Sequence, residues 1–388
     1  MESDLRRTWA EVNLDAIAYN YRKIKEKIGK DVKFLGVVKA DAYGHGSVQV
    51  SKLLAEEGAD YLAVSSADEA LELRVNGIKM PILILGHTPK EQVEELIKYD
   101  ITQAVTCKAK ADEYSQEAVK CGGTLKIHIK VDTGMSRLGY LCDNGLFDTG
   151  VEGIVEACNL PGLYAEGIFT HFAEADEFGE AADDYTKHQF ELFKNVIDKV
   201  EEKGVKFKIR HCANTGAVAR YPETYLDMVR PGLLLYGYGE FAKEMGLKPA
   251  MTLKTTVSTI KIYPEGTAIS YGGIYVTDKK TRIGVLPYGY ADGFLRALSN
   301  KCSLYTKEGP ANLRGKICMD MCMIDITDMM TVDVGSEVEV FGEKNPIEKL
   351  SEIAGTIPYE LTCAVSKRVP RMYIKGGKVV EKELMLRL

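Results

Sequence analysis

The stretch FLGVVKADAYGHG, Phe34 to Gly46, decides the fold and points to the chemistry. A run of apolar and small residues, 34–38, leads straight into Lys39, and a turn-prone run bearing an aromatic follows. A lysine offers no acceptor and carries a charge that is costly to bury, so the ordinary reading is a solvated strand end. The other reading is a nucleophilic amine placed where a strand stops and a site begins.

Runs of the same kind recur along the chain: YLAVS (61–65), ILILG (82–86), ITQAV (101–105), LKIHIKV (125–131), LYAEGIFTH (163–171), KFKIRHC (206–212) and VRPGLLLYG (229–237). Between them lie helix-like segments such as SVQVSKLLAEEG and DDYTKHQFELFKNVIDKVEEKG, the latter with apolar residues at helical spacing and Gly204 as a stop. Eight strand candidates with seven helical connections, and a helical segment before the first, predict parallel strands covered on their outer side. That pattern fits a (β/α)8 TIM-type barrel, with a doubly wound open sheet as the alternative. No GxGxxG follows the first strand, which removes the main support for a dinucleotide fold.

Past residue 240 the texture changes. LKTTVSTIKI, TAISYGGIYV, RIGVLPYGY, CSLYT, KICMDMCMIDI and SEVEVFG are rich in β-branched and aromatic residues and are separated by Gly, Pro and Asp turns. The expected division is an α/β barrel over 11–240 and a mainly β domain over 241–388, joined by about the first ten residues.

Among 388 residues, 45% are hydrophobic and 27% charged, ordinary for a soluble enzyme. The net charge of -6 gives no broad basic field for nucleic acid or an anionic membrane. The longest apolar run, near MPILILG, is too short to span a bilayer, and the amino terminus lacks a basic segment followed by an apolar one. Nine scattered cysteines suggest reduced thiols and a cytoplasmic location. Cys318 and Cys322 in CMDMC lack a second Cys or His pair, so no metal site is expected.

In such a barrel, residues just past the strand ends converge on one face. Lys39 and Tyr43 follow the first run, Lys130 and Arg137 lie in KVDTGMSRLG, and His171 ends the sixth. Asn214 and Thr215 lie in HCANT, and Arg230 and Gly232 in MVRPG. Thr215 and Gly232 fall in the loops after strands seven and eight, where barrels often place a phosphate. A reactive lysine with a phosphate pocket is the signature of pyridoxal phosphate held through a lysine.

Over nearly its full length the chain resembles the alanine racemase family. VVKADAYGHG is similar to that family's cofactor-lysine motif, and KVDTGMSRLG, GIFTHFAEAD, CANTGA, VRPGLLLYG, ISYGGIY, LPYGYADGF, KICMDMCMIDI and PYELTCAVSKRVPR follow in the family's order. The resemblance implies an isomerase with an N-terminal barrel, a C-terminal β domain and pyridoxal 5'-phosphate as cofactor. It further implies interconversion of L-alanine and D-alanine, supplying D-alanine for bacterial peptidoglycan.

Carried over position by position, the resemblance makes Lys39 both the holder of the cofactor aldehyde and one base, and Tyr271 the second base. Tyr43, Thr215, Gly232 and Tyr359 resemble the phosphate anchors, with Asn214 beside them. Arg230 resembles the partner of the pyridine nitrogen, and His171 its supporting neighbour. Arg137 and the backbone at Met319 look like contacts to the substrate carboxylate. In the family Tyr271 and Met319 come from the other subunit, which implies a homodimer with shared sites. Thr215 stands where serine is common and Lys367 where many relatives have tyrosine. Lys130 is either a carbamate that positions Arg137 or an ion-pair partner of a carboxylate.

These residue types suit the reaction. Racemisation removes an α-proton and returns one to the opposite face, which two bases do more simply than one. Lysine and tyrosine are ordinarily too basic for this at neutral pH, but burial and neighbouring cations lower them. An arginine at the pyridine nitrogen only donates, leaving that nitrogen neutral and the electron sink shallow, which discourages transamination. His211 reads as a packed, hydrogen-bonded histidine and His45 as a loop residue; Tyr290 and Asp292 of GYADG either line the entrance or complete a turn. A racemase for serine or another amino acid would share every motif. A decarboxylase would show an acidic pyridine partner, and a single-barrel cofactor-binding protein would lack the β domain and Tyr271.

Overall fold

The computed structural model describes residues 7–384. Of these, 20–42 and 47–235 form one compact unit, and 7–19, 43–46 and 236–384 form another.

The first unit is the barrel. Its parallel strands are Lys33–Val37, Tyr61–Val64, Ile82–Ile84, Thr102–Val105, Leu125–Asp132, Leu163–Phe169, Ile209–His211 and Met228–Val229. Each of the first six pairs with the next in chain order, and the eighth returns to the first through Met228 opposite Lys33 and Val229 opposite Phe34. That return rules out the open sheet. Between the seventh and eighth strands no ladder forms among the described residues; side chain and backbone close the gap instead. Asp227 N donates to Arg210 O at 3.1 Å and Arg230 N to Ala213 O at 2.9 Å. The Asp227 carboxylate accepts from the Arg210 backbone N–H at 2.7 Å and from its Nε at 2.8 Å.

The strands read as continuous apolar runs because helices cover their outer side while the interior is packed. The helix Glu180–Glu202 shows how sequence sets this: Phe190, Phe193, Val196, Ile197 and Val200 recur at helical spacing on its buried face. It stops at Gly204, whose φ of 90° suits glycine.

Two expectations need correction. VRPGLLLYG is strand only at Val229, preceded by Met228; Leu233–Tyr236 is a helix. A short apolar run buried on all sides shows no period, so strand and helix look alike in sequence. The run after Lys39 is more than a turn. Ala40, Asp41, Ala42 and Tyr43 have φ of 52°, 55°, 53° and 53°, and Gly44 has 83°, a left-handed helical turn. Ala42 N donates to Val38 O at 2.8 Å. Such a conformation costs an L-residue about 1–2 kcal/mol. Side chains hold it: Ala40 N donates to Glu69 Oε1 at 2.7 Å, and Ser47 N to Asp41 Oδ1 at 2.8 Å.

The second unit is mostly sheet. Its seven-stranded sheet runs in the order Gly309–Asn312, Ser303–Thr306, Glu337–Phe341, Met251–Thr256, Thr8–Asn13, Arg371–Lys375, Lys378–Glu383. A three-stranded sheet joins Thr259–Tyr263, Thr281–Leu286 and Cys322–Asp325. The buried and half-buried residues of Met251–Thr256 alternate, as a strand with one covered face requires. This division departs from a boundary at residue 240. Thr8–Asn13 sits between Met251–Thr256 and Arg371–Lys375, so the chain up to residue 19 belongs with the sheets. Residues 43–46 belong there too: Arg371 Nε donates to Gly44 O at 3.2 Å, and a Cβ at Gly44 would lie 2.2 Å from Thr362 O.

Among the described residues no helix is long and apolar enough to cross a membrane, and no group of three or more His, Cys, Asp or Glu could hold a metal.

Candidate active site

In the barrel unit, Lys39 comes two residues after the first strand, half-buried, with the left-handed turn immediately behind it. The centre of the cluster is Arg230, buried just past the eighth strand. Its Nη1 donates to His211 Nδ1 at 2.9 Å. Its Nη2 donates to Thr170 O at 2.8 Å and Cys212 O at 3.0 Å, and lies 3.3 Å from His171 Nδ1. Nε and the second Nη1 hydrogen have no acceptor among the described residues, so two of the five guanidinium donors are left over. Burial pulls the guanidinium down to about 10, still fully cationic at neutral pH.

Lys130, also buried, donates from Nζ to Val131 O at 2.7 Å and lies 5.4 Å from the centre of the Phe169 ring. Burial, aided by Arg230 and Arg137 and opposed by Asp132, lowers this amine to about 7. Arg137 itself is exposed; its backbone N–H donates to Asp132 Oδ2 at 3.2 Å, while Asp132 Oδ1 accepts from Gly134 and Ser136 N–H, each at 3.0 Å. Asp132 thus shapes the loop that carries Arg137. Burial above all, then Arg230, holds His171 and His211 well below the usual imidazole range.

Asn214 caps the short helix Thr215–Arg220, its Oδ1 accepting from Ala217 N at 3.1 Å. Thr215 Oγ1 accepts from Gly232 N at 2.9 Å, which ties together the loops after strands seven and eight. The Thr215 hydroxyl proton keeps no acceptor among the described residues.

In the sheet unit, the Tyr43 ring packs edge-on against Tyr236 and Tyr359, each with centroids 5.3 Å away. Burial, then Tyr359 and Cys363, raises its phenol well above the ordinary value. His45 serves this loop, lying 3.1 Å from Tyr43 O through Nδ1. Tyr271 stands on the turn of the hairpin formed by Ala268–Ile269 and Tyr275–Val276, and is 69% exposed. Ser270 Oγ fastens that turn to Lys316 O at 2.7 Å. Met319 is exposed, and its backbone N–H has no acceptor among the described residues. Asp292 completes a turn: it is fully buried, accepts from Gly289 N at 3.0 Å and binds Arg7 at 2.9 and 3.1 Å.

The barrel unit therefore gathers Arg230, His171 and Lys130 around Phe169, and Thr215 against Gly232. Phe169, Thr170 and Cys212 escaped sequence reading; two act through carbonyl oxygens, which leave no trace in residue identity. His128 was also missed, although a histidine inside LKIHIKV is an unusual member of a buried strand.

Barrel and sheet unit each match one half of a known kind of amino-acid isomerase. Residues 12–240 match "Alanine racemase, N-terminal domain" and residues 250–373 match "Alanine racemase, C-terminal domain". The chain is 43% identical over 395 residues to alanine racemase 2 of Caldanaerobacter subterraneus subsp. tengcongensis, with all of both chains covered. It superposes on alanine racemase of Clostridium difficile 630 with a TM-score of 0.92 at 40% identity, covering 98% of this chain and 99% of that one. Alanine racemase of Bacillus anthracis with bound L-Ala-P gives a TM-score of 0.90 at 36% identity, with 97% of each chain covered. The chain belongs to the alanine racemase family.

Proposed function

We propose that this protein interconverts L-alanine and D-alanine with pyridoxal 5'-phosphate as cofactor, using Lys39 and Tyr271 as bases on opposite faces of the substrate. The observation that carries the reading is the Arg230 guanidinium, whose Nη atoms are committed within the barrel while Nε remains an available donor. That donor set fits a neutral pyridine nitrogen, which can only accept. Lys39 supplies the amine for the aldehyde; Thr215, Gly232, Tyr43 and Tyr359 are the candidates for the phosphate, with Asn214 shaping their loop and His171 beside Arg230. When bound, the cofactor delocalises the electron pair left by the departing α-proton.

The chain's own groups do the rest. Lys39 holds or releases the proton on one face, and Tyr271 does so on the other. Arg137 and the Met319 amide bind the substrate carboxylate. An exposed tyrosine on a hairpin tip has no water-shielded place to act alone, so Tyr271 and Met319 serve the site of a second copy in a homodimer. Lys130, lowered to about 7, is partly the free amine at neutral pH. Reaction with carbon dioxide, forming the N–C bond and releasing one proton, would give a carbamate anion between Arg230 and Arg137. The cell would use the D-alanine for peptidoglycan in the cytoplasm.

Polarimetry tests the reading. L-alanine and D-alanine should each lose optical rotation in the cofactor-loaded enzyme, and L-serine much more slowly. Faster loss with serine would move the reading to another racemase, and no loss with any amino acid would end it.

A further inference from the structure

A chain of buried polar groups leads from Arg230 across the barrel interior, and none of it belongs to the mechanism above. The guanidinium can only donate, so His211 Nδ1, 2.9 Å from Nη1, must be bare and the His211 proton must sit on Nε2. His211 Nε2 is 2.9 Å from His128 Nδ1, which must therefore accept, placing the His128 proton on its own Nε2. That nitrogen is fully buried, makes no hydrogen bond among the described residues, and lies 3.5 Å from Glu166 Oε2. A carboxylate can only accept. The two ends of the chain, a cation and an anion, therefore dictate the same placement of both protons.

Local structure is built around this chain. Ile127 pairs with Ala165 but His128 pairs with Gly167, so Glu166 is the extra residue of a β-bulge. A bulge re-aims a side chain, here toward His128 and Tyr61, whose hydroxyl donates to Glu166 Oε2 at 2.7 Å. A Cβ at Gly167 would come within 2.7 to 2.8 Å of the His128 ring atoms, so only glycine leaves the ring its place. Phe169 stacks on His211 with centroids 4.8 Å apart and planes 7° from parallel, which fixes the second ring.

We propose that His128 and Glu166 are positioning residues for Arg230: through His211 they fix which nitrogens of both imidazoles carry protons, and so keep the guanidinium turned with Nε available to the cofactor ring. The step to the cofactor ring rests on the function proposed above. Protonating either imidazole would set two donors against each other at 2.9 Å. Burial, the largest influence on both rings, opposes this by lowering His128 and His211 below the usual range. His128, with Tyr61 and Lys126, in turn holds the Glu166 carboxyl down at about 2 against the effect of burial, so the anion is present at any working pH.

The test begins with nitrogen-15 NMR of histidine-labelled protein, with cofactor bound and after its removal. Both His128 and His211 should be neutral with the proton on Nε2. A proton on His211 Nδ1, or a charged ring at neutral pH, would overturn the proposal. This readout needs no turnover, so it fails separately from the racemase reading, whose failure would appear as absent racemisation.

The second measurement is a cycle with Arg230→Lys. Glu166→Leu should lower kcat about tenfold with KM nearly unchanged, and much less in the Arg230→Lys background, because the two act as one unit. Equal loss in both backgrounds would show that Glu166 does not act through Arg230. Should Glu166→Leu fail to fold, Glu166→Gln keeps the side chain's size while its amide can donate as well as accept. It should leave His128 a mixture of the two neutral forms, and a His128 spectrum identical to wild type would count against the proposal.

Discussion

Arg230 Nη1 lies 2.9 Å from His211 Nδ1, so a permanent cation donates to a neutral ring where a carboxylate would otherwise be expected. If Arg230 meets the pyridine nitrogen as proposed, Arg230→Glu would put a carboxylate there instead, which would keep that nitrogen protonated and deepen the electron sink. Racemisation should slow, and pyruvate from transamination should become measurable by a coupled dehydrogenase assay. The competing effect is loss of a buried charge arrangement, at about 3–5 kcal/mol. A folded, cofactor-loaded variant that slows without producing pyruvate would make Arg230 a structural residue only.

Lys39→Ala should remove the visible absorption expected of a cofactor joined to a lysine. Borohydride treatment followed by peptide mapping should find no pyridoxyl-lysine. A trapped adduct at the wild-type level would mean that another amine holds the cofactor.

Tyr271→Phe and Lys39→Ala subunits, each inactive as homodimers, should regain activity when mixed and allowed to exchange. Tyr271 is 69% exposed on its hairpin, and a site completed across two copies would have one intact pair of bases in each mixed dimer. Confirmed exchange with no recovered racemisation would rule out the shared site.

The two buried imidazoles also set a pH dependence of stability. Burial holds His128 and His211 below the ordinary value, so below a pH of about 6.5 the unfolded chain binds protons that the folded chain refuses. The unfolded state then holds more protons, and stability falls as pH falls, by at most about 1.4 kcal/mol per unit for each ring. Lys130, lowered to about 7, gives a slope of the same sign between its folded value and an unfolded value of about 10.4. The urea midpoint should thus drop from pH 6.5 to 5.5, and His128→Gln should flatten that drop. An unchanged slope in the variant would mean that His128 is charged in the folded state.

Much of this molecule was legible in sequence because each barrel strand announces itself as an apolar run that ends in polar residues. Lys39, Arg230 and Thr215 could be placed at strand ends by counting from those runs. What escaped depends on contacts between distant segments. The bulge at Glu166 exists because Ile127 and His128 pair with residues two apart on the next strand, and no single segment encodes that mismatch. The helix Leu233–Tyr236 escaped because a run buried on all sides carries no period. Left-handed residues 40–43 were hidden most deeply: none is glycine, and their conformation is imposed by Glu69 and by the Asp41 side chain.

That left-handed turn supports a last prediction. Ala40 is exposed at φ 52°, so its methyl group meets strain while contributing little burial. Ala40→Gly should relieve about 1–2 kcal/mol of steric cost, set against about 0.5–1 kcal/mol for ordering glycine. The net gain is under about 1.5 kcal/mol, read as a higher urea midpoint. Ala40→Val should move the other way, because a branched Cβ is a genuine outlier at positive φ. Activity separates two roles for the turn. If its stiffness holds Lys39 in place, Ala40→Gly should lower kcat while raising stability; if it is only a connector, kcat should stay unchanged. A destabilised Ala40→Gly protein would mean that the Ala40 methyl group packs favourably, and that strain is not what this segment stores.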